Sequence, residues 1–327
     1  MHRLLIIVAL SSIVMAQSPI NSQELEHKFQ QVLRGETEQD FKLGLALGAG
    51  AAKGFAHIGA LRAIEEAGLR VDMIAGSSMG SIIGGGYAAG LTLDELSDVA
   101  LKTNWLDVLN LIDPVFPTRG FIDGRKITTF LDDLFGNRDI EDLNMPFAAT
   151  TVDILNGKLY VIKAGKLSKA VRSSSSIPIV FNPMAEGEKI LVDGGMMDPV
   201  PIDIVRSLGA DYIIAVNVLD LSNSEKRRSS FNYLNGSDIE NSKSTWRIPR
   251  GDQPWYTAGQ PNLAEIAHET VILSMALIAA NQIELQQPNL VVDVNTGLAA
   301  WNFLEAEIAM ERGYIETKKI LDQRRAP

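Results

Sequence analysis

Apolar and polar positions alternate along the chain in a way that separates strand-like from helix-like stretches. Leu43, Leu45 and Leu47 alternate with small residues in a compact apolar run that suits a buried strand, and the run stops at the glycine-rich stretch 48–54. Phe55, Ile58, Leu61 and Ile64 recur at helical spacing, which predicts a helix over 55–67 with Gly68 as its stop. A second apolar run over 71–75 feeds Gly76-Ser77-Ser78-Met79-Gly80, and a small-residue helix follows over 79–89. Strand, loop, helix, strand, turn and helix in that order imply parallel strands joined by right-handed crossovers, with ligands at the carboxyl ends of the strands.

The pattern continues through 91–135, mostly helical and interrupted over 113–117 by Pro114 and Pro117. Stretches 146–151 and 157–162 read as a strand pair across Asn156-Gly157. A short helix over 169–173, a polar loop over 174–176 and a strand over 189–192 follow, and that strand turns at Asp193-Gly194-Gly195. Then come a helix over 201–208 and a strand over 211–218. Composition shifts over 222–260, where polar residues and glycine surround Phe231, Tyr233, Trp246, Trp255 and Tyr256. This is a long surface loop, either a flap over a site or a disordered insertion. A helix over 263–286, a strand over 289–294 and a closing helix over 301–313 complete one domain spanning 41–327.

Two segments precede that domain. Residues 1–16, with His2 and Arg3 ahead of an apolar run and Val14-Met15-Ala16 at its end, read as a signal peptide cleaved after Ala16. Residues 17–40 read as a polar arm or short helix. The expectation is a periplasmic or secreted protein with no transmembrane segment in the mature chain, since the apolar run 271–280 is flanked by Glu269 and Glu284.

Composition narrows the chemistry. A length of 327 residues with 46% hydrophobic content can bury a sizeable core. A formal net charge of -10, with no basic run longer than Lys226-Arg227-Arg228, argues against a nucleic-acid partner. Cysteine is absent, which removes disulfides, thiolate catalysis and Cys-ligated metal.

Ser78 is the first candidate nucleophile, because Gly76 and Gly80 let the backbone turn sharply and present its hydroxyl at a helix N-terminus. The five-residue pattern alone is a weak signal. A serine needs a base within hydrogen-bonding reach, and the histidines are His2, His27, His57 and His268. Only His268 lies downstream in the usual hydrolase order, and it falls in a helical pattern rather than at a strand end. Asp193, which ends a strand and is followed by two glycines, is the better candidate; the rival reading makes it an Asx-turn residue that caps its own turn. The 48–54 loop offers several unhindered N–H groups to a developing oxyanion. It lacks the spacing of a nucleotide-phosphate loop, has no Ser or Thr after Lys53, and misses the dinucleotide fingerprint by one residue.

The stretches LALGAGAAKGFAHIGAL, AGSSMG and VDGGMMDPVPI, in that order, resemble the patatin-like phospholipases, specifically a bacterial subgroup whose loop reads Gly-x-Gly-x-x-Arg/Lys-Gly. The resemblance covers about 41–220 and resumes over 290–313. It implies an α/β fold, a three-layer α/β/α sandwich with a mostly parallel central sheet. It also implies Ser78 as nucleophile and Asp193 as its dyad base, with Gly48, Gly50, Ala51, Ala52 and Lys53 forming the oxyanion loop. Gly76, Gly80, Gly194 and Gly195 would shape the elbow and the turn. Ala49-Gly50-Ala51 stands where the commoner family version has three glycines, and alanine can substitute there only at an ordinary φ. The implied activity is hydrolysis of lipid acyl esters at a membrane surface, without metal or organic cofactor. Transfer of the acyl group to an alcohol, or a non-catalytic interaction domain, are the alternatives. A homo-oligomer is compatible with the closing helix, but the sequence shows no interface.

Overall fold

The computed structural model describes residues 22–102, 113–115, 120–219, 263–298, 300 and 302–326. The expectations for residues 1–16, for 103–112 and for the 222–260 loop lie outside the described residues.

Strands β1 (Leu43–Leu47), β2 (Met73–Ser77), β3 (Phe147–Asp153), β4 (Lys158–Ile162), β5 (Met184–Glu186), β6 (Lys189–Asp193), β7 (Tyr212–Asn217) and β8 (Leu290–Asp293) form one mixed sheet. Its order is β5-β6-β3-β2-β1-β7-β8, with β4 also pairing β3. The ladders from β3 through β2, β1 and β7 to β8 are parallel, while β3–β4, β3–β6 and β5–β6 are antiparallel. The apolar runs that predicted strands are the fully buried central ones, as expected of strands covered on both faces.

Helices lie on both sides of the sheet because alternate strand residues point to opposite faces. Leu43, Leu45 and Leu47 share one core with helices α1 (Ser22–Leu33), α2 (Ala56–Glu66), α3 (Met79–Ala88), α4 (Leu93–Lys102), α5 (Arg125–Leu134), α6 (Leu167–Ser174) and α9 (Ala306–Arg325). Ala46, Ala75 and Ala215 share the other with α7 (Ile202–Ser207) and α8 (Leu263–Gln286). The sandwich is therefore three-layered.

The segment ahead of the sheet is helical from Ser22 and docked on it. Phe29 stacks on Tyr212 with ring centroids 4.1 Å apart, and Glu26 accepts hydrogen bonds from Tyr212 and Arg324. The closing helix differs from expectation: it begins at Ala306 and runs past Gly313 to Arg325. Gly313 is a crossing point, not a stop, since a Cβ there would lie 1.9 Å from the Ala56 carbonyl oxygen. A Cβ at Gly59 on α2 would lie 1.9 Å from the Met310 carbonyl oxygen. Each glycine lets the other helix's backbone approach, so Gly313→Ala is expected to lower stability by about 1–3 kcal/mol, read as a fall in Tm.

Candidate active site

The loop between β2 and α3 is a single residue, Ser78, at φ 51 and ψ -122. A non-glycine residue in that region costs about 1–3 kcal/mol and persists only where its surroundings hold it. Here they do so from several sides. The Ser78 N–H donates to Ser174 Oγ at 2.9 Å, and the Ser78 carbonyl accepts from Ser81 Oγ at 2.7 Å. Gly76 and Gly80 make the turn sterically feasible: a Cβ at Gly80 would lie 2.1 Å from the Leu47 carbonyl oxygen, and one at Gly76 2.5 Å from Ser81 Cα.

Sheet register delivers the acid. Ser77 pairs with Thr150 and Thr151 with Asp193, so the end of β6 lies two strands from the end of β2. Ser78 Oγ donates to Asp193 Oδ2 at 2.6 Å, while Asp193 Oδ1 accepts from the Gly195 N–H at 2.8 Å. The Asx-turn and the serine-facing arrangement thus coexist, one on each oxygen. The Asp193 N–H donates to the Ser176 carbonyl at 3.0 Å. Ser78 is 3% exposed and Asp193 2%. Burial pushes the Asp193 carboxyl up to about 6, against the lowering effect of the Ser78 and Gly195 hydrogen bonds. Gly194 and Gly195 fit where side chains would not, against the Thr150 carbonyl and Met275.

The loop's N–H groups are not equivalent. Gly48 donates to Val216 at 3.0 Å, Ala52 to Ala300 at 2.9 Å and Lys53 to Gly50 at 3.1 Å, all to carbonyl oxygens. The residues expected to line or supply an oxyanion loop thus divide: among the described residues, the amides of Gly50 and Ala51 carry no partner, nor does that of Met79 after the serine. The ordinary φ set as the condition for alanine is not met at one of the two positions. Ala51 sits at φ 48, because the chain must reverse there to enter the short turn Ala51–Phe55. Left-handed geometry costs an L-residue about 1–2 kcal/mol, so Ala51→Gly is expected to keep activity and raise stability by up to about 1 kcal/mol in a thermal melt, part of the gain being offset by glycine's larger unfolded-state entropy.

His57 is buried with Nε2 2.7 Å from the Gly48 carbonyl oxygen, and burial pushes its pKa down to about 4. It is neutral at pH 7 and holds the loop through an Nε2–H donated to Gly48. Sequence reasoning gave this histidine no role, and it read 174–176 as a polar loop, whereas Ser174 ends α6. Ser174 and Ser176 are buried. The signal was present: Leu167, Ala170, Val171 and Ser174 share one face of α6 at helical spacing, so the serine lies in line with the core. Among the described residues, no group of three His, Asp or Glu side chains could hold a metal ion, and no helix is long and apolar enough to cross a membrane.

Fold and site together define a class: α/β sandwiches that present a strained serine on a strand-to-helix elbow. Residues 45–206 match the family model of the patatin-like phospholipases, and the chain belongs to that family. An uncharacterised NTE family protein of Mycobacterium tuberculosis is 39% identical over 177 residues, covering 54% of this chain and 49% of the other. The neuropathy target esterase of Drosophila melanogaster is 36% identical over 183 residues, 54% of this chain and 13% of that one. The chain spans about half the length of the mycobacterial relative and a much smaller share of the animal one. VipD from Legionella pneumophila shares the fold at 13% identity, with a TM-score of 0.54 over 88% of this chain and 67% of that one.

Proposed function

We propose that the chain is a serine acyl hydrolase of the phospholipase A or lysophospholipase type that works through Ser78 and Asp193. The observation that carries this reading is the 2.6 Å hydrogen bond from the elbow serine to a buried carboxylate. Family membership supplies the substrate class, an acyl ester of a lipid.

In this reading Asp193 Oδ2 takes the hydroxyl proton as Ser78 Oγ adds to the acyl carbonyl. The charge formed on the carbonyl oxygen meets the open N–H groups of Gly50 and Ala51 and the N-terminal end of α3. Collapse of the tetrahedral adduct expels the alcohol or lysolipid, which recovers the proton from Asp193, and leaves an acyl ester on Ser78. Water then attacks that ester and gives its proton to Asp193. As the fatty acid departs, Asp193 returns the proton to Ser78. A deprotonated Asp193 is needed at both steps, so a pKa near 6 leaves it mostly ionised at neutral pH and more basic than an exposed aspartate.

The test is a fluorophosphonate probe followed by peptide mass analysis, together with fatty-acid release from phospholipid, lysophospholipid and triacylglycerol. Single labelling at Ser78 and release from at least one lipid class are expected. An unlabelled wild-type protein whose lipid products match those of Ser78→Ala would overturn the reading. Export follows from reading residues 1–16 as a signal peptide, and a mature chain that begins at Gln17 by mass is the expected result.

A further inference from the structure

Arg172 is the bulkiest fully buried side chain among the described residues, at 1% exposure, and lies on α6 just ahead of the segment that approaches Asp193. Burying a guanidinium is costly, and an ion pair is the usual compensation. None of the ion pairs among the described residues includes Arg172. Burial pushes its pKa down to about 10, opposed by the charges of Asp113 and Asp123, so it is cationic at neutral pH. Among the described residues, every hydrogen bond it makes goes to a neutral oxygen. Nη1 donates to Ser176 Oγ at 2.6 Å, Nη2 to the carbonyls of Asp123 and Asn182, each at 3.1 Å, and Nε to the Gly124 carbonyl at 3.3 Å. The guanidinium carbon lies 4.9 Å from the centre of the Phe181 ring.

These acceptors belong to two segments that run together. The Ile122 N–H donates to the Val180 carbonyl and the Asn182 N–H to the Ile122 carbonyl, so 120–124 and 177–182 are zipped side by side. Arg172 bridges both and also grips Ser176. The Ser176 carbonyl in turn accepts the Asp193 N–H, and Ser176 Oγ donates back to the Arg172 carbonyl at 3.0 Å. Two residues earlier, Ser174 Oγ takes the Ser78 N–H. The helix end that carries Arg172 therefore touches the backbone of both Ser78 and Asp193.

We propose that Arg172 is a positioning residue that sets the Ser78–Asp193 contact by fixing Ser176, whose carbonyl anchors the Asp193 backbone. Only a planar, multi-donor cation satisfies a hydroxyl and three carbonyls arranged around one point, and a lysine ammonium offers fewer donors in a different geometry. The inference rests on the reading of Ser78 and Asp193 as the reacting pair.

The experiment compares wild type, Arg172→Lys and Ser176→Ala on a soluble short-chain ester, with kcat expressed per site titrated by the fluorophosphonate. For Arg172→Lys, a fall in kcat of about 10- to 100-fold is expected, with KM within about twofold. The acidic midpoint of kcat should move to higher pH, because a loosened Ser78 hydrogen bond no longer lowers the Asp193 pKa. Ser176→Ala, which removes only the hydroxyl that Nη1 grips, is expected to move both quantities the same way by a smaller amount. Arg172→Ala should regain activity with added guanidinium ion, and not with sodium at equal ionic strength. A purely structural role predicts a lower Tm and fewer titratable sites but an unchanged kcat per site and midpoint, and that result in both variants overturns the proposal. If wild type carries no label on Ser78, the active-site reading itself fails and the proposal falls with it. If wild type labels and the variants keep their per-site turnover, only the positioning role fails.

Discussion

Replacing Ser78 with alanine is expected to reduce ester hydrolysis by about 10⁴- to 10⁶-fold, to the level of binding and oxyanion contacts alone. The fold should survive, because the backbone bonds that hold position 78 come from Ser174 and Ser81, neither of which uses the Ser78 hydroxyl. The lost Oγ hydrogen bond leaves Asp193 Oδ2 without its donor in a buried site. That bond lowers the Asp193 pKa, so its loss lets burial drive the carboxyl further up, and the variant holds Asp193 neutral over a wider pH range. Position 78 keeps φ 51 in the alanine variant, so the backbone strain remains. Ser78→Gly removes both the hydroxyl and the strain, and it should be as inactive as Ser78→Ala while melting at a higher temperature. Residual turnover, circular dichroism and thermal melts of the two variants check the argument. Ester hydrolysis at more than a few per cent of wild type in either one would move the nucleophile elsewhere.

The parts of this architecture legible in the sequence are those set by local pattern. The apolar runs at 43–47 and 213–216 signal strands buried on both faces, and the glycines around Ser78 signal a tight strand-to-helix turn. Boundaries moved where partners decide them: β2 extends through Gly76 and Ser77 because Ala149 and Thr150 continue the ladder beside them. Asp193 could be placed at a strand end, but its distance from Ser78 depends on β6 pairing antiparallel with β3, a non-local choice that no spacing encodes. Likewise, the long helix Ala306–Arg325 runs through a glycine that reads as a stop, and only the Ala56 backbone on the opposing helix explains it. The left-handed φ of Ala51 and the buried guanidinium of Arg172 cost local energy, and the guanidinium is sustained by the carbonyls of Asp123 and Gly124, distant in sequence. Such departures from local preference gather at functional sites, and here they border the serine.

Asp193→Asn is expected to lower kcat/KM by at least about 10²- to 10⁴-fold while making the protein more stable at neutral and alkaline pH. The activity loss follows because an amide cannot take the serine proton. With Asp193 as the proposed base, the ionised carboxylate is the active form, so kcat/KM should climb with pH through about 6 and then level off, and the variant should lack that limb. The stability effect has the opposite sign. The folded-state pKa of Asp193 lies above its ordinary value of 3.8, so the folded protein binds this proton more tightly than the unfolded chain does. The group's contribution is fully favourable below about pH 4 and is lost as pH rises through about 6, leaving a buried charge that costs on the order of 2–3 kcal/mol. Asparagine keeps the shape and can still accept from Gly195 while donating to Ser78, so it removes that cost at pH 8 and gains little at pH 4. Asp198, pushed up to about 7 by burial and by the charge of Asp203, depresses stability in the same direction, yet Asp193 and not Asp198 accepts from the serine. Asp198→Asn should therefore leave the activity limb near pH 6 in place, and His268→Ala should leave most of the activity. If Asp193→Asn hydrolyses esters at the wild-type rate, or if the limb disappears in Asp198→Asn or His268→Ala instead, the base is not Asp193, and the 2.6 Å hydrogen bond serves only to hold the elbow.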